Sequence, residues 1–139
     1  MKKLKSILQK HSGRVRGRVT VRHQGGREKR YLRLIDTKRS KKDVWGRVIA
    51  IEYDPNRNAE LAKVIYEDGE RRYIIAPFGL KVGAKVISSE IAPVEAGNAL
   101  PLKAIPVGVQ IHNIEIYKGK GGQMVKGAGS AAVVFGKED

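Results

Sequence analysis

Residues 61–76, LAKVIYEDGERRYIIA, determine the fold class of this chain. Two stretches rich in β-branched and aromatic residues, 61–67 and 71–76, lie on either side of Asp68-Gly69. Asp-Gly is a strong hairpin signal because a type I′ turn needs positive φ at both of its central residues. The stretch therefore predicts two antiparallel strands joined by a type I′ turn.

Strand and turn patterns continue on both sides of this hairpin. The 16 glycines and five prolines cut the 139 residues into short pieces, which is typical of all-β barrels and sandwiches. We expect helix only as a turn or two in 4–9 and after Ala99. The connection 91–104, with two prolines and few periodic apolar positions, separates two modules. The other strands are predicted at 18–23, 30–36, 44–53, 85–89, 107–111, 114–116 and from 133 onward.

Charge is distributed very unevenly along the chain. The sequence has 28 Lys/Arg and 14 Asp/Glu, which gives a formal net charge of +14. Residues 1–47 hold 17 of the basic residues and three of the acidic ones, whereas 48–139 hold 11 of each. A basic segment joined to a neutral body indicates a polyanion partner, with nucleic acid the first candidate.

The predicted strand 18–23 places this charge on one side of a sheet. Strand side chains alternate between faces, so Val19 and Val21 share an apolar face. The opposite face carries Arg18, Thr20 and Arg22 and is cationic. The sequence therefore predicts a strand that packs with one face and binds with the other.

Several classes of protein are excluded or disfavoured. Without cysteine there is no disulfide, thiolate zinc site or cysteine nucleophile, and no two of the three histidines stand at metal-ligand spacing. The glycine-rich segment 119–123 fits neither nucleotide-loop pattern. No nucleophile and base form an obvious pair, so we predict no enzyme, no metal and no cofactor. No apolar run approaches the length of a membrane span, so no membrane partner is expected.

Polyanion contacts are predicted where basic residues and glycines share a segment. Glycine lets the backbone approach a ligand surface, and Lys or Arg matches its phosphates. The glycine-rich segment 118–130 has an alternative interpretation as a flexible hairpin loop. The aromatic residues Tyr31 and Tyr53 could stack on bases, but packing is the commoner role, and the scarcity of aromatics favours a folded RNA. The predicted contacts are Arg14, Arg16, Arg18, Arg22, His23, Gly25, Gly26, Arg27, Lys29, Arg30, Lys38, Arg39, Lys118, Lys120, Gln123 and Lys126.

Eight strings follow one another in an order that is specific to one family. They are GRVTVRHQGG (17–26), RLID (33–36), IEYDPNR (51–57), DGERRYIIAP (68–77), GNALPL (97–102), IPVG (105–108), HNIE (112–115) and GKGGQ (119–123). Together they resemble the family of large-ribosomal-subunit protein two, of bacterial or organellar type. Relative to that family, we expect a chain shortened at the N-terminus and truncated at the C-terminus.

The resemblance implies a fold and a function. The family has an OB-like barrel followed by an SH3-like barrel and binds large-subunit ribosomal RNA. It implies a basic N-terminal extension at 1–14, an OB-like RNA-binding barrel at 15–90 and a partial SH3-like domain at 91–139. It also implies RNA contacts at Arg57, in the YDPNR turn, and at Lys126, where the family usually has Arg.

The implied partners are large-subunit ribosomal RNA and other ribosomal proteins, with a second chain that completes the SH3-like domain as a further candidate. The implied location is the cytoplasmic ribosome, with an organellar ribosome as the variant. Two alternatives remain open at this point. One is a free-standing OB-type single-stranded nucleic-acid binder or RNA chaperone, and the other is a phosphate-processing enzyme whose glycine-rich loop holds its substrate.

Overall fold

The computed structural model describes residues 4–9, 12–26 and 28–137. These residues form β-strands and one short 3-10 helix, Leu102–Ala104, and contain no α-helix, so the predicted all-β class is confirmed. The strands are β1 (Lys5–Leu8), β2 (Arg14–Val15), β3 (Arg18–Val19), β4 (Arg30–Arg33), β5 (Gly46–Glu52), β6 (Leu61–Tyr66), β7 (Arg71–Ile75), β8 (Lys85–Val86), β9 (Gln110–Ile111), β10 (Ile114–Glu115), β11 (Gly122–Met124) and β12 (Ala132–Val133).

The largest sheet is antiparallel and has the strand order β7-β6-β5-β8. One of its two inner strands, β6, is buried on both faces, because Leu61 and Ala62 point to opposite sides and both are fully inaccessible. One face packs with Val48, Val64 and other residues of the main core, and the other face packs with Tyr73. A shift of register between Val48 and Ala50 marks a bulge in β5, and bulges bend and twist the strand that carries them.

The predicted hairpin at 61–76 is confirmed, but the predicted turn type is wrong. Tyr66 N–H donates to the Glu70 carbonyl (2.9 Å), so three residues form the loop instead of two. Only Gly69 of the Asp68-Gly69 pair has a positive φ, at 80°. This geometry is a turn closed by a left-handed glycine, and Asp68 serves it by accepting a hydrogen bond from Glu70 N–H (3.0 Å).

The predicted helix in 4–9 is also wrong. Residues Lys5–Leu8 form β1, which pairs antiparallel with β4 in the register Lys5↔Arg33 to Leu8↔Arg30. Four residues are too few for hydrophobic periodicity to distinguish a helix from a strand. The pairing strand lies more than twenty residues away, and it supplies the backbone partners that decide between the two.

The second module consists of two small sheets. β9 pairs with β12 and β10 pairs with β11, each as an antiparallel pair. The strand expected at 107–111 is shortened to β9, and Asn113 between β9 and β10 has a φ of 51°. A helical turn after Ala99 is confirmed as the 3-10 helix. A parallel bridge from Ser88 to Ala99 links this region back to the first module.

Candidate nucleic-acid interface

One group of basic side chains is neutralised by carboxylates of the first module. Lys5 lies 2.8 Å from the Glu52 carboxylate, and Arg72 lies 2.8 Å from the Asp36 carboxylate. Lys41 contacts both Asp68 and Glu70. Such pairs compensate charge locally and leave little to attract a polyanion. The cations with a carboxylate within ion-pair distance are Lys5, Arg33, Lys41, Arg57, Lys63 and Arg72.

These ion pairs make the stability of the fold depend on pH in the acidic range. Hydrogen bonds from Arg72 and Lys41 lower the pKa of Glu70 from 4.5 to about 2. A carboxyl with a lowered pKa stabilises the fold above its unfolded pKa and loses that contribution as the pH falls toward its folded value. We therefore expect Glu70→Gln to lose less stability than the wild-type chain between pH 4.5 and about 2, measured by urea unfolding across that range.

The control for Glu70→Gln is Glu67→Gln. Glu67 is an exposed carboxyl on the same hairpin, and it forms no ion pair within the described residues. Its variant should follow the acid profile of the wild type. Identical profiles for the Glu70 and Glu67 variants would contradict the assignment.

A second group of basic side chains is exposed and forms no ion pair with the part of the chain that the structure describes. We call residues 12–29, which lie between β1 and β4, the arginine loop; Arg27 lies outside the described residues. Arg14, Arg16, Arg18 and Arg22 are exposed, as are His23 and Lys29. None of these six has a carboxylate within ion-pair distance among the described residues. The positive charge predicted from the sequence is therefore uncompensated here and faces solvent.

The arginine loop is closed upon itself by main-chain hydrogen bonds. The Gly13 carbonyl accepts from Thr20 N–H (2.8 Å) and from Val21 N–H (3.0 Å). Within this closure β2 and β3 pair with each other, and Arg16-Gly17 joins them with φ values of 50° and 80°. Positive φ at both central residues marks a type I′ turn, so the turn type expected at Asp68-Gly69 occurs here instead.

This hairpin corrects the prediction for 18–23. The strand ends at Val19, Val21 lies in a bend, and Arg22 and His23 lie in a turn. Arg14 pairs with Val19 and Val15 pairs with Arg18, so each face carries one arginine and one valine. The valines are exposed, because the hairpin pairs with itself and leaves them without a core to pack on. No apolar face opposes a cationic face at this position.

The remaining predicted residues of the loop lie at its end. Gly25 and Gly26 are exposed, and a Cβ at Gly25 would meet nothing within 4 Å. A ligand surface therefore has free access to this backbone. Arg30, the first residue of β4, is half-buried and donates from Nη1 to the Pro55 carbonyl (3.2 Å).

The glycine-rich segment lies against the basic loop 37–43. Gly122 N–H donates to the Thr37 carbonyl (2.9 Å), and Gly121 N–H donates to the Glu115 carboxylate (2.5 Å). Lys118, Lys120 and Gln123 are exposed beside this junction, as is Lys38 across it. The structure thus brings together two predicted contact segments that are some eighty residues apart in sequence.

Gly121 is the residue that permits this junction, and a matched pair of variants tests it. Gly121 and Gly119 both have positive φ, at 94° and 82°, so alanine strains the backbone similarly at either site. Only at Gly121 would a Cβ meet the other loop, 3.0 Å from Thr37 Oγ1 and 3.1 Å from Lys38 Cγ. We expect Gly121→Ala to destabilise the protein by about 1 kcal/mol more than Gly119→Ala in urea unfolding. Equal losses of unfolding free energy in the two variants would show that the contact between the two loops does not contribute to stability.

Two residues predicted to contact RNA, Arg39 and Arg57, form hydrogen bonds within the protein. Arg39 donates from Nη1 and Nη2 to the Gly97 carbonyl, both at 3.0 Å, and burial lowers its pKa. Arg57 donates from Nε to Asp54 Oδ2 (2.7 Å), and this is its only hydrogen-bonded side-chain nitrogen among the described residues. Both arginines therefore hold loops in place, which the sequence alone did not indicate.

Asp54 is the anchor of the turn that carries Arg57. Its carboxylate is fully buried and accepts hydrogen bonds from Asn56 N–H and Nδ2, both at 3.1 Å. Burial by itself would raise the pKa of Asp54, but the hydrogen bonds from Arg57 and Asn56 outweigh it and lower the pKa. The carboxylate thus stays ionised and fixes the turn.

An open groove of about 1540 Å³ runs between the two modules. Lys38, Lys118 and the half-buried Lys126 line it together with Lys42 and Lys103, two residues that the sequence did not single out. Lys42 belongs to the basic loop 37–43, so its charge is the feature of the sequence that could have identified it as a candidate contact. The groove is also lined by the acidic residues Glu60, Glu90, Glu95 and Glu115, and its charge is mixed. The arginine loop is the more uniformly cationic surface.

The described residues contain neither a membrane-spanning helix nor a metal-binding cluster. None of their helices is long and apolar enough to cross a membrane. No three His, Asp or Glu side chains among them lie together in a way that could hold a metal ion.

Comparison with known protein families shows to which family the chain belongs. The model for Ribosomal Proteins L2, RNA binding N-terminal domain, matches residues 1–88, and the model for Ribosomal Proteins L2, C-terminal domain, matches residues 95–139. The first match alone covers more than half of the 139 residues and includes the whole arginine loop. These matches confirm the resemblance carried by the eight strings. The chain is an RNA-binding structural protein of the ribosome and belongs to the ribosomal protein L2 family.

Proposed function

We propose that this protein binds large-subunit ribosomal RNA through the arginine loop and stabilises the folded RNA without catalysing a reaction. The observation that carries the proposal is that Arg14, Arg16, Arg18 and Arg22 are exposed and have no carboxylate within ion-pair distance among the described residues. Six other basic residues of the first module, among them Lys5 and Arg72, lie within ion-pair distance of carboxylates, whereas the arginine loop gathers several cations without such a partner among the described residues in one continuous segment.

Counterion release is the physical basis of the binding. Each Lys or Arg that neutralises a phosphate releases a condensed counterion, and this favours association at low salt. The arginine loop supplies the first contact, with Gly25 and Gly26 admitting the RNA backbone. The junction around Lys38, Lys118 and Lys120 supplies a second contact. Lys126 adds to it as a single ammonium, which binds phosphate as a point charge.

The domain organisation forms part of the proposal. Residues 15–90 form the OB-like RNA-binding barrel and 91–139 a partial SH3-like domain. Two-stranded sheets are only marginally stable alone, and β9–β12 and β10–β11 are both of this kind. We therefore propose that other ribosomal proteins or a second chain extend these sheets in the assembled particle, in a cytoplasmic or organellar ribosome.

A filter-binding titration against a large-subunit ribosomal RNA transcript tests the function. With six to ten phosphate contacts, the affinity should fall about 10³- to 10⁵-fold between 50 and 200 mM salt. An unstructured oligonucleotide of equal length should bind more weakly than the folded transcript, and the chain should co-sediment with intact large subunits. Comparable affinity for both RNAs would favour the free-standing single-strand binder, and an affinity independent of salt would overturn the proposal.

A further inference from the structure

Two exposed tyrosines line one pocket at the end of the arginine loop. Tyr31 is 49% exposed and Tyr53 is 74% exposed, so neither ring is buried in the core. They border a cavity of about 510 Å³, which we call the tyrosine pocket; its lining is completed by Glu28, Lys29, Arg30, Arg33 and Pro55. This volume lies within the range of about 300–1,000 Å³ that is typical of small-molecule sites.

Hydrogen bonds tie together the main-chain segments around the pocket. Asn56 donates from Nδ2 to the Tyr31 carbonyl (2.8 Å), and Arg30 donates from Nη1 to the Pro55 carbonyl (3.2 Å). Asn56 is itself fixed by the buried Asp54. The strand that carries Tyr31 and the turn that follows Tyr53 are thus tied to each other, and the two rings are presented on a preformed surface.

The charge of the pocket matches a nucleotide. Lys29 is exposed and has no ion pair within the described residues. Arg33 is committed to Asp54 and Glu52, and Arg30 to Pro55, so Lys29 is the cation best placed to receive a phosphate. Among the described residues, Glu28 is the one acidic residue in the pocket lining. Aromatic faces bind bases of any identity, and a neighbouring cation binds the adjoining backbone.

We propose that the tyrosine pocket accepts one unpaired base of the bound RNA, stacked on Tyr53 and Tyr31, with the adjoining phosphate on Lys29. This inference rests on the proposed function, because it names the feature of the RNA that the site recognises. Lys29 ends the arginine loop and Arg30 begins β4, so an RNA strand following the loop arrives at the pocket. Folded RNA exposes such bases at bulges and loops, where they are free to stack on aromatic side chains.

Alanine variants at Tyr53 and Tyr31 test the stacking. The probes are the large-subunit transcript and an unstructured oligonucleotide of equal length that contains 2-aminopurine, whose fluorescence reports stacking. Either alanine variant should weaken binding by about 5- to 150-fold. Each phenylalanine variant should bind like the wild type, because it keeps the aromatic ring. The salt dependence should keep its slope in all four, because stacking releases no counterion, whereas Lys29→Ala should reduce the slope by about 1.

The control is Phe135→Ala, which removes a ring that is 97% exposed and lines neither cavity. If an alanine variant also lowers the melting temperature, a leucine variant keeps apolar bulk without the ring and should still bind weakly. Wild-type affinity in the Tyr53 and Tyr31 variants would overturn the stacking site while leaving the proposed function intact. A wild-type chain that binds neither RNA would overturn both.

Discussion

Replacing Arg14, Arg16, Arg18 and Arg22 together by alanine is expected to weaken binding to large-subunit ribosomal RNA by roughly 10²- to 10³-fold at 0.15 M salt. Each phosphate contact contributes about 0.7 to 0.9 to the slope of log affinity against log salt, so four lost contacts should reduce the slope by about 3 to 4. Filter binding between 50 and 200 mM salt measures both quantities. The melting temperature should barely change, since these side chains are exposed and unpaired in the described part of the chain.

The matched control removes four cations elsewhere. Arg47, Arg71, Lys81 and Lys85 are exposed, and none has a carboxylate within ion-pair distance among the described residues. Their alanine variant has the same net charge as the loop variant but keeps the loop intact. We expect a much smaller loss of affinity from it. Equal losses in the two variants would show that the RNA responds to net charge alone and that the arginine loop is not the contact surface.

The central sheet was predictable because its signals are local. The strands β6 and β7 and the turn between them lie within sixteen consecutive residues, so turn chemistry and hydrophobicity determine them together. β1 was not predictable, because its strand character comes from pairing with β4. The arginine hairpin was missed for a similar reason. Gly13, Thr20 and Val21 close it through two main-chain hydrogen bonds and one from Thr20 Oγ1, and the hydrophobic pattern of the sequence does not reveal these contacts.

The positive charge of the site could be predicted from the sequence. Which basic residues are exposed and which are bonded within the protein could not. Arg39 and Arg18 look alike in a basic segment, yet Arg39 is held by the Gly97 carbonyl, 58 residues away. Arg57 belongs to a turn whose anchor, Asp54, is only three residues away, but nothing in the sequence shows that this carboxylate is buried. Asn56, in the turn that follows Tyr53, donates to the Tyr31 carbonyl and so holds the two tyrosine-bearing segments together. Long-range contacts thus decide which charges and rings remain available to a ligand.

The second large effect concerns stability. Asp54→Ala is expected to lower the free energy of unfolding by about 3–5 kcal/mol, measured by urea unfolding near neutral pH. The substitution removes the acceptor of Arg57 Nε and the closest carboxylate of Arg33, side chains that are only 28% and 13% exposed. Removing one partner of a buried pair leaves the other charge desolvated and uncompensated, which costs far more than losing a surface pair.

The control for Asp54→Ala is Glu67→Ala, which removes one negative charge from an exposed side chain and should change stability by less than about 0.5 kcal/mol. Asp54→Asn keeps the shape of the side chain and some acceptor capacity but removes the charge, so its loss should fall between the two. A loss for Asp54→Ala no larger than that for Glu67→Ala would mean that Asp54 does not anchor the turn.

Because Asn56 depends on the same carboxylate, Asp54→Ala should also loosen the tie between Tyr31 and the turn after Tyr53. The folded fraction of this variant should then bind the 2-aminopurine probe less tightly than Glu67→Ala does, although every arginine of the loop is still present.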